Sequence, residues 1–204
     1  IIIISYFSIN MEINKYKNDV DFLNDYWQRY QKLFVNSRND KDLIKLRDAI
    51  NNTVKETGKI IFVGNGASAS LCSHAATDFT KQAKVTSIAF NDHNLITALS
   101  NDYGYENWVS KAIEYYAKKN DMVVFISVSG ESKNLINGIN TALKNKIKTA
   151  SLTGSNSNNT LKISSDLSLW VDSKAYNIVE SIHTIWITLI IDMIVGHPEY
   201  KVNL

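Results

Sequence analysis

The stretch Ile60-Ile61-Phe62-Val63-Gly64-Asn65-Gly66-Ala67-Ser68-Ala69-Ser70 joins an unbroken apolar run to a run of small residues and hydroxyls. Four consecutive apolar side chains without alternation suit a strand covered on both faces, as in a parallel sheet between two helical layers. Working outward, the same unit recurs. Apolar runs stand at Ser87-Ile88-Ala89-Phe90, Met122-Val123-Val124-Phe125-Ile126 and Thr149-Ala150-Ser151-Leu152, with a weaker one at Leu167–Val171. Helix-period segments separate them, at about Ser68–Lys81, Tyr105–Lys118, Ser132–Asn145 and Ala175–Gly196. Short strands alternating with helices predict a doubly wound α/β sandwich. In such a fold ligands bind beyond the carboxyl ends of the strands, so the loops after Val63, Phe90, Ile126 and Leu152 are the ones that matter.

Upstream the period changes to that of a helix. Val20, Phe22, Leu23, Trp27, Tyr30, Leu33 and Phe34 recur at three- and four-residue steps, predicting a helix over about Asn18–Asn36. A second stripe, Leu43, Leu46, Ile50 and Val54, follows Asp40, which is placed to cap it, and closes at Gly58. These segments define the expected domains: an extension at 1–10 ahead of Met11, N-terminal helices at 11–58 used in oligomerisation, and one α/β domain at 59–197. The 204 residues suit that size.

Lys+Arg 22 against Asp+Glu 20 gives a net charge of only +2, which argues against a nucleic-acid partner. The sole cysteine, Cys72, cannot form an internal disulfide, and a reducing, cytoplasmic setting is expected. Ile182–Val195 is the most apolar stretch; it falls short of a ~20-residue span and contains Asp192, so no membrane partner is expected.

Two strand-to-helix loops carry the chemical signal. Gly64–Ser70 follows the first strand, and Ser127-Val128-Ser129-Gly130-Glu131-Ser132 follows the third. At such turns backbone N–H groups converge, the helix dipole is positive, and serine hydroxyls donate, so an anion fits. Neither loop has the lysine of a nucleoside-triphosphate loop or the GxGxxG spacing of a dinucleotide loop. No nucleotide is expected, and a phosphate monoester is.

These residues resemble the sugar isomerase (SIS) domain and, within it, the phosphoheptose isomerase family. The resemblance rests on GNGASAS at Gly64–Ser70, His74 with an acid four residues later, ALSNDYGYE at Ala98–Glu106, SVSGES at Ser127–Ser132, and LTG at Leu152–Gly154. It implies a flavodoxin-like five-stranded parallel sheet, a homotetramer, and aldose–ketose isomerisation of sedoheptulose 7-phosphate for the heptose of bacterial surface polysaccharide such as lipopolysaccharide. It makes Asn65, Gly66, Ala67 and Ser68 the first substrate loop and Asn101 and Asp102 a sugar-contacting pair. Ser127, Val128, Ser129 and Ser132 become the phosphate cradle. Ala67 stands where the family usually has glycine, a change that a negative φ would tolerate.

The acid/base and metal positions depart from the family. Where the family has His-x-x-x-Glu, this chain has His74 and Asp78. Where it has Gln-Glu-x-His followed by a second His, this chain has Glu180, Ser181, His183 and Thr188. His74 with Asp78, at i and i+4, share one helical face, as do Glu180 with His183 at i and i+3. Two histidines and two carboxylates are a candidate set for an acid and a base, or for zinc. Asp78 or Glu180 is the expected base, and His183 or His74 the acid. The opposite stripe, Ile182, Ile185, Trp186, Leu189, Ile190 and Met193, is assigned to the core or an interface. His93, His197 and Cys72 are read as solvated or structural. The competing expectation is a phosphosugar-binding or protein-interaction module without catalysis.

Overall fold

A computed structural model describes residues 16–199 of the chain. The expected 1–10 extension lies outside the described residues. The chain divides into two compact units, at Asn36 and Ser37.

The first unit holds α1, Asp19–Asn36. Its aromatic residues pack along the helix: Phe22 stacks on Tyr26 at 6.1 Å, and Tyr26 meets Tyr30 at 4.8 Å. No residue of α1 is buried, and Phe22, Leu23, Trp27 and Phe34 of the expected stripe stay largely exposed.

The second unit runs α2 (Asp40–Lys55), β1 (Ile60–Gly64), α3 (Ala67–Lys81), β2 (Ser87–Ala89), α4 (His93–Tyr103), α5 (Trp108–Tyr116) and β3 (Met122–Ser127). It continues with α6 (Lys133–Lys144), β4 (Lys148–Thr153), α7 (Thr160–Ser164), β5 (Leu167–Trp170) and α8 (Tyr176–Val195). The five strands form one sheet in the order β2-β1-β3-β4-β5, all parallel. The expected doubly wound, flavodoxin-like sheet is what the chain builds. The order reverses at β1 and β3, the switch point where such sheets bind ligands.

The unbroken apolar strands are sorted by residue parity, because successive side chains point to opposite faces. Ile60, Phe62, Met122, Val124 and Ile126 join a core with α2, α3 and α8. Ile61, Val63, Val123 and Phe125 join a second core with Trp108, Val109 and Ile113 of α5 and Leu135 and Ile139 of α6. Cys72 of α3 is buried in the first core, where burial pushes its thiol pKa far up.

Three local expectations change. Asp40 is the first residue of α2, not its cap; Asn39 precedes it with φ 49° and makes no side-chain cap bond. The segment expected as one helix at Tyr105–Lys118 is shorter, and α4 comes before it, capped by Asp92, whose carboxylate accepts from the N–H groups of Asn94 and Leu95. Finally, α8 spans 20 residues and, alone among the described residues, is long and apolar enough to cross a membrane. Its Ile178, Val179, Ile182, Trp186, Ile187, Ile190 and Ile191 are buried, as befits a core helix.

Candidate functional site

The two anion loops stand side by side because their strands pair in register, Val63 with Phe125 and Gly64 with Ile126. Each turns on a glycine in the left-handed region. Gly66, at φ 56° and ψ −128°, is the N-cap of α3. Gly130, at φ 68°, has no room for a side chain, since a Cβ there would lie 2.0 Å from Asn159 Oδ1. Ala67 is absent from the positive-φ residues of the described chain, which accounts for its tolerating a methyl group.

Neither α3 nor α6 has its N-terminus closed by a side chain: the N-caps Gly66 and Ser132 make no side-chain cap bond. The N–H groups of Ala69 and Leu135 donate to the Gly66 and Ser132 carbonyls, both at 3.0 Å, and at each of these helix ends the dipole favours an anion. Within the second loop the hydroxyls are already oriented. Ser127 Oγ accepts from Gly130 N–H at 3.1 Å, and Ser129 Oγ accepts from Glu131 N–H at 3.2 Å. Each hydroxyl proton is left to donate. Glu131 braces this loop from behind, its carboxylate accepting from Thr160 N–H and Thr160 Oγ1, both at 2.8 Å.

Between the loops and the start of α8 lies a cavity of ≈ 250 Å³. Asn65, Gly66, Ala67 and Ser68 line one side, and Ser127, Val128, Ser129 and Ser132 line another. All eight loop residues expected to bind substrate therefore share one cavity. Tyr176 and Glu180 complete it from the first turns of α8. Tyr176 escaped the sequence reading; its signal was the i, i+4 spacing from Glu180, which places both on one helical face. Glu180 is the one charged residue among the described lining residues, and the rest of the lining offers helix ends and neutral donors.

The rest of the expected set is dispersed. Asn101 and Asp102 sit exposed at the end of α4, Asn101 Nδ2 donating to Asp102 Oδ1 at 3.0 Å, and neither lines the cavity. His74 and Asp78 do face each other on α3, with His74 Nε2 3.3 Å from Asp78 Oδ2, but they too lie outside the lining.

His183 is a correction. It is fully buried, with Nε2 3.2 Å from the Thr153 carbonyl oxygen and Nδ1 without a partner. Burial lowers its pKa to about 4, partly opposed by the Thr153 hydrogen bond, so the imidazole is neutral at pH 7. It packs beside Trp186 at 5.7 Å and is not among the residues that line the cavity. Thr188 donates its hydroxyl to the Thr184 carbonyl at 3.0 Å, a bond internal to the helix.

Zinc needs several convergent donors. Among the described residues, no three His, Cys, Asp or Glu side chains converge. The ligand set His74, Asp78, Glu180 and His183 thus does not fit that ion within one chain: one pair is on α3, one carboxylate is in the cavity, and one imidazole is in the core.

Comparison with known proteins agrees with this geometry. The SIS domain family matches residues 23–154. The phosphoheptose isomerase of Helicobacter pylori (strain HPAG1) is 36% identical over 155 residues, covering 73% of this chain and 80% of the relative. That of Akkermansia muciniphila is 30% identical over 148 residues, covering 70% and 78%. The structure of the phosphoheptose isomerase from Neisseria gonorrhoeae superposes with a TM-score of 0.81 over 87% of this chain and 99% of that one, at 22% identity, a likeness of fold. The strand order, the paired anion loops and these relatives together place the chain in the SIS-domain family, among the phosphoheptose isomerases.

Proposed function

We propose that the chain is an aldose–ketose isomerase that converts sedoheptulose 7-phosphate to an aldoheptose 7-phosphate. The carrying observation is a cavity of helix ends and hydroxyl donors in which Glu180 is the one described charge. A phosphate dianion is drawn to the α6 N-terminus and the serine hydroxyls of the loop before it and repelled by the carboxylate, so the sugar's reactive end points toward Glu180. The remote phosphate then holds the carbon chain in register. Glu180 takes the proton from C1 as the C1–C2 enediol forms and a proton passes to O2. The same proton returns at C2 while O1 loses its own and becomes the aldehyde oxygen. Nothing is consumed, and one carboxylate beside both carbons can serve both transfers. With His183 in the core, Glu180 rather than Asp78 is the base within the chain.

The product is the substrate class from which the heptose of a bacterial surface polysaccharide is built, and the names of the relatives support that role. The exposed apolar stripe of α1 supports a homotetramer. The lone buried Cys72 supports a reducing, cytoplasmic setting. Purified protein incubated with sedoheptulose 7-phosphate should form the aldoheptose phosphate, and Glu180→Gln should not. No conversion across a panel of six- and seven-carbon ketose phosphates would overturn the reading. The buried His183 and the self-bonded Thr188 favour a second reading, a phosphosugar-binding module. Tight binding without turnover would mark it.

A further inference from the structure

Two asparagines on one face of α6 tie that helix to the loop after β1 and to the turn between α4 and α5. Asn134 is only 2% exposed. Its Nδ2 donates to Asn65 Oδ1 at 2.9 Å, and Asn65 Nδ2 donates back to Asn134 Oδ1 at 3.0 Å. The exposed Tyr105, in the turn between α4 and α5, donates its hydroxyl to the same Asn65 oxygen at 3.3 Å. One turn further along α6, Asn137 Nδ2 donates to the Glu106 carbonyl at 2.9 Å and to Asn107 Oδ1 at 3.2 Å.

The chemistry of this chain of contacts is restrictive. An amide oxygen has two lone pairs, and both of those on Asn65 are taken. Asn65 therefore turns its side-chain oxygen to the protein and leaves the backbone of its loop to the ligand. A buried amide is costly unless paired, and a reciprocal amide pair is satisfied at only one offset of the two segments that carry it. The pair thus selects one spacing between the loop after β1 and the first turn of α6. Asn137 extends that constraint to the α4–α5 turn.

We propose that Asn134 is a positioning residue. Acting through Asn65, it fixes the distance between the phosphate cradle and the loop after β1, whose Asn65 lines the cavity and is braced by Tyr105, and so sets how long a phosphosugar the cavity accepts. Phosphate capture belongs to the cradle and sugar register to the asparagine pair. The inference rests on the phosphate placement of the proposed function.

Three variants test it, with affinities for inorganic phosphate and for sedoheptulose 7-phosphate both measured by calorimetry, beside kcat and KM. Asn134→Leu keeps side-chain size and removes the pairing. It should weaken sugar-phosphate binding by about tenfold or more while inorganic phosphate stays within about twofold. Asn134→Asp, which still accepts from Asn65 Nδ2, should recover part of the loss. Tyr105→Phe removes one exposed hydroxyl without threatening the fold and should shift the same ratio by about threefold. The discrimination between seven- and five-carbon ketose phosphates should narrow in step. Equal losses for both ligands in Asn134→Leu, or no loss for either, would overturn the proposal. Should that variant fail to fold, an unchanged ratio in Tyr105→Phe would overturn it. If the wild type binds but does not turn over, the isomerase reading fails, and the affinity ratio still decides the role of Asn134.

Discussion

Glu180 and His183 sit one turn apart on α8 and live in different media. Glu180 borders the cavity with Tyr176, four residues before it. His183 is sealed against β4 and pairs with a backbone carbonyl. Three residues advance a helix by 300°, which leaves two side chains 60° apart. On a helix whose Ile182 and Trp186 are buried while Thr184 and Leu189 are exposed, that angle is enough to separate the cavity from the core. The comparison teaches that helical spacing gives neighbours, whereas the surrounding packing decides what each neighbour can do.

The largest effect expected tests the cavity side. Glu180→Gln deletes the base and keeps the shape, so turnover should fall at least ~100-fold with an unchanged melting temperature. Near-wild-type turnover would move the chemistry off α8. The core side should announce itself through pH. The His183 pKa is lowered from 6.5 to about 4, so between those values the unfolded chain binds more protons than the folded one. Stability is fully present above pH 6.5 and declines as pH falls toward 4, by on the order of 3 kcal/mol for this group. Urea unfolding across that window should show the slope in the wild type and a flatter one in His183→Gln. An equal slope in both would return His183 to solvent.

Smaller effects sharpen the contrast. Ser129→Ala or Ser132→Ala should weaken phosphate binding by about 1–3 kcal/mol, the usual loss for a hydrogen bond to a charged group, with the fold intact. Unchanged affinity in both would move the anion site elsewhere. His74→Ala should alter stability by no more than about 0.5 kcal/mol, because its contact with Asp78 is a partly solvated i, i+4 pair. A large loss of turnover at unchanged stability would instead carry that pair to the cavity of a neighbouring subunit.

The sheet was legible because its strands are unbroken apolar runs, and the two anion loops were legible because small residues follow those runs directly. Helix α4 was not. Its interior has one buried residue, Leu99, so burial gives it little apolar signature, and the aromatic residues around Gly104 drew the helix boundary downstream. Helix α7 has five residues, too few for a period to show. The metal set was overread for a similar reason. Residue types and spacings put His74, Asp78, Glu180 and His183 on suitable faces, but which faces of α3 and α8 turn to each other, and the depth of His183, belong to packing. Tyr176 offered only its spacing from Glu180, and Asn134 becomes visible only once the loop after β1 is folded against α6.

Cys72 sits on the buried face of α3, the helix whose first turn supplies one wall of the cavity, and its thiol is held protonated by burial. A thiol-specific reagent therefore meets no reactive sulfur until that helix lifts from the sheet. The labelling rate of the single cysteine becomes a clock for the opening of that wall. Occupying the cavity with a phosphosugar should slow the clock, giving a ligand assay that requires no turnover and no added probe on the protein.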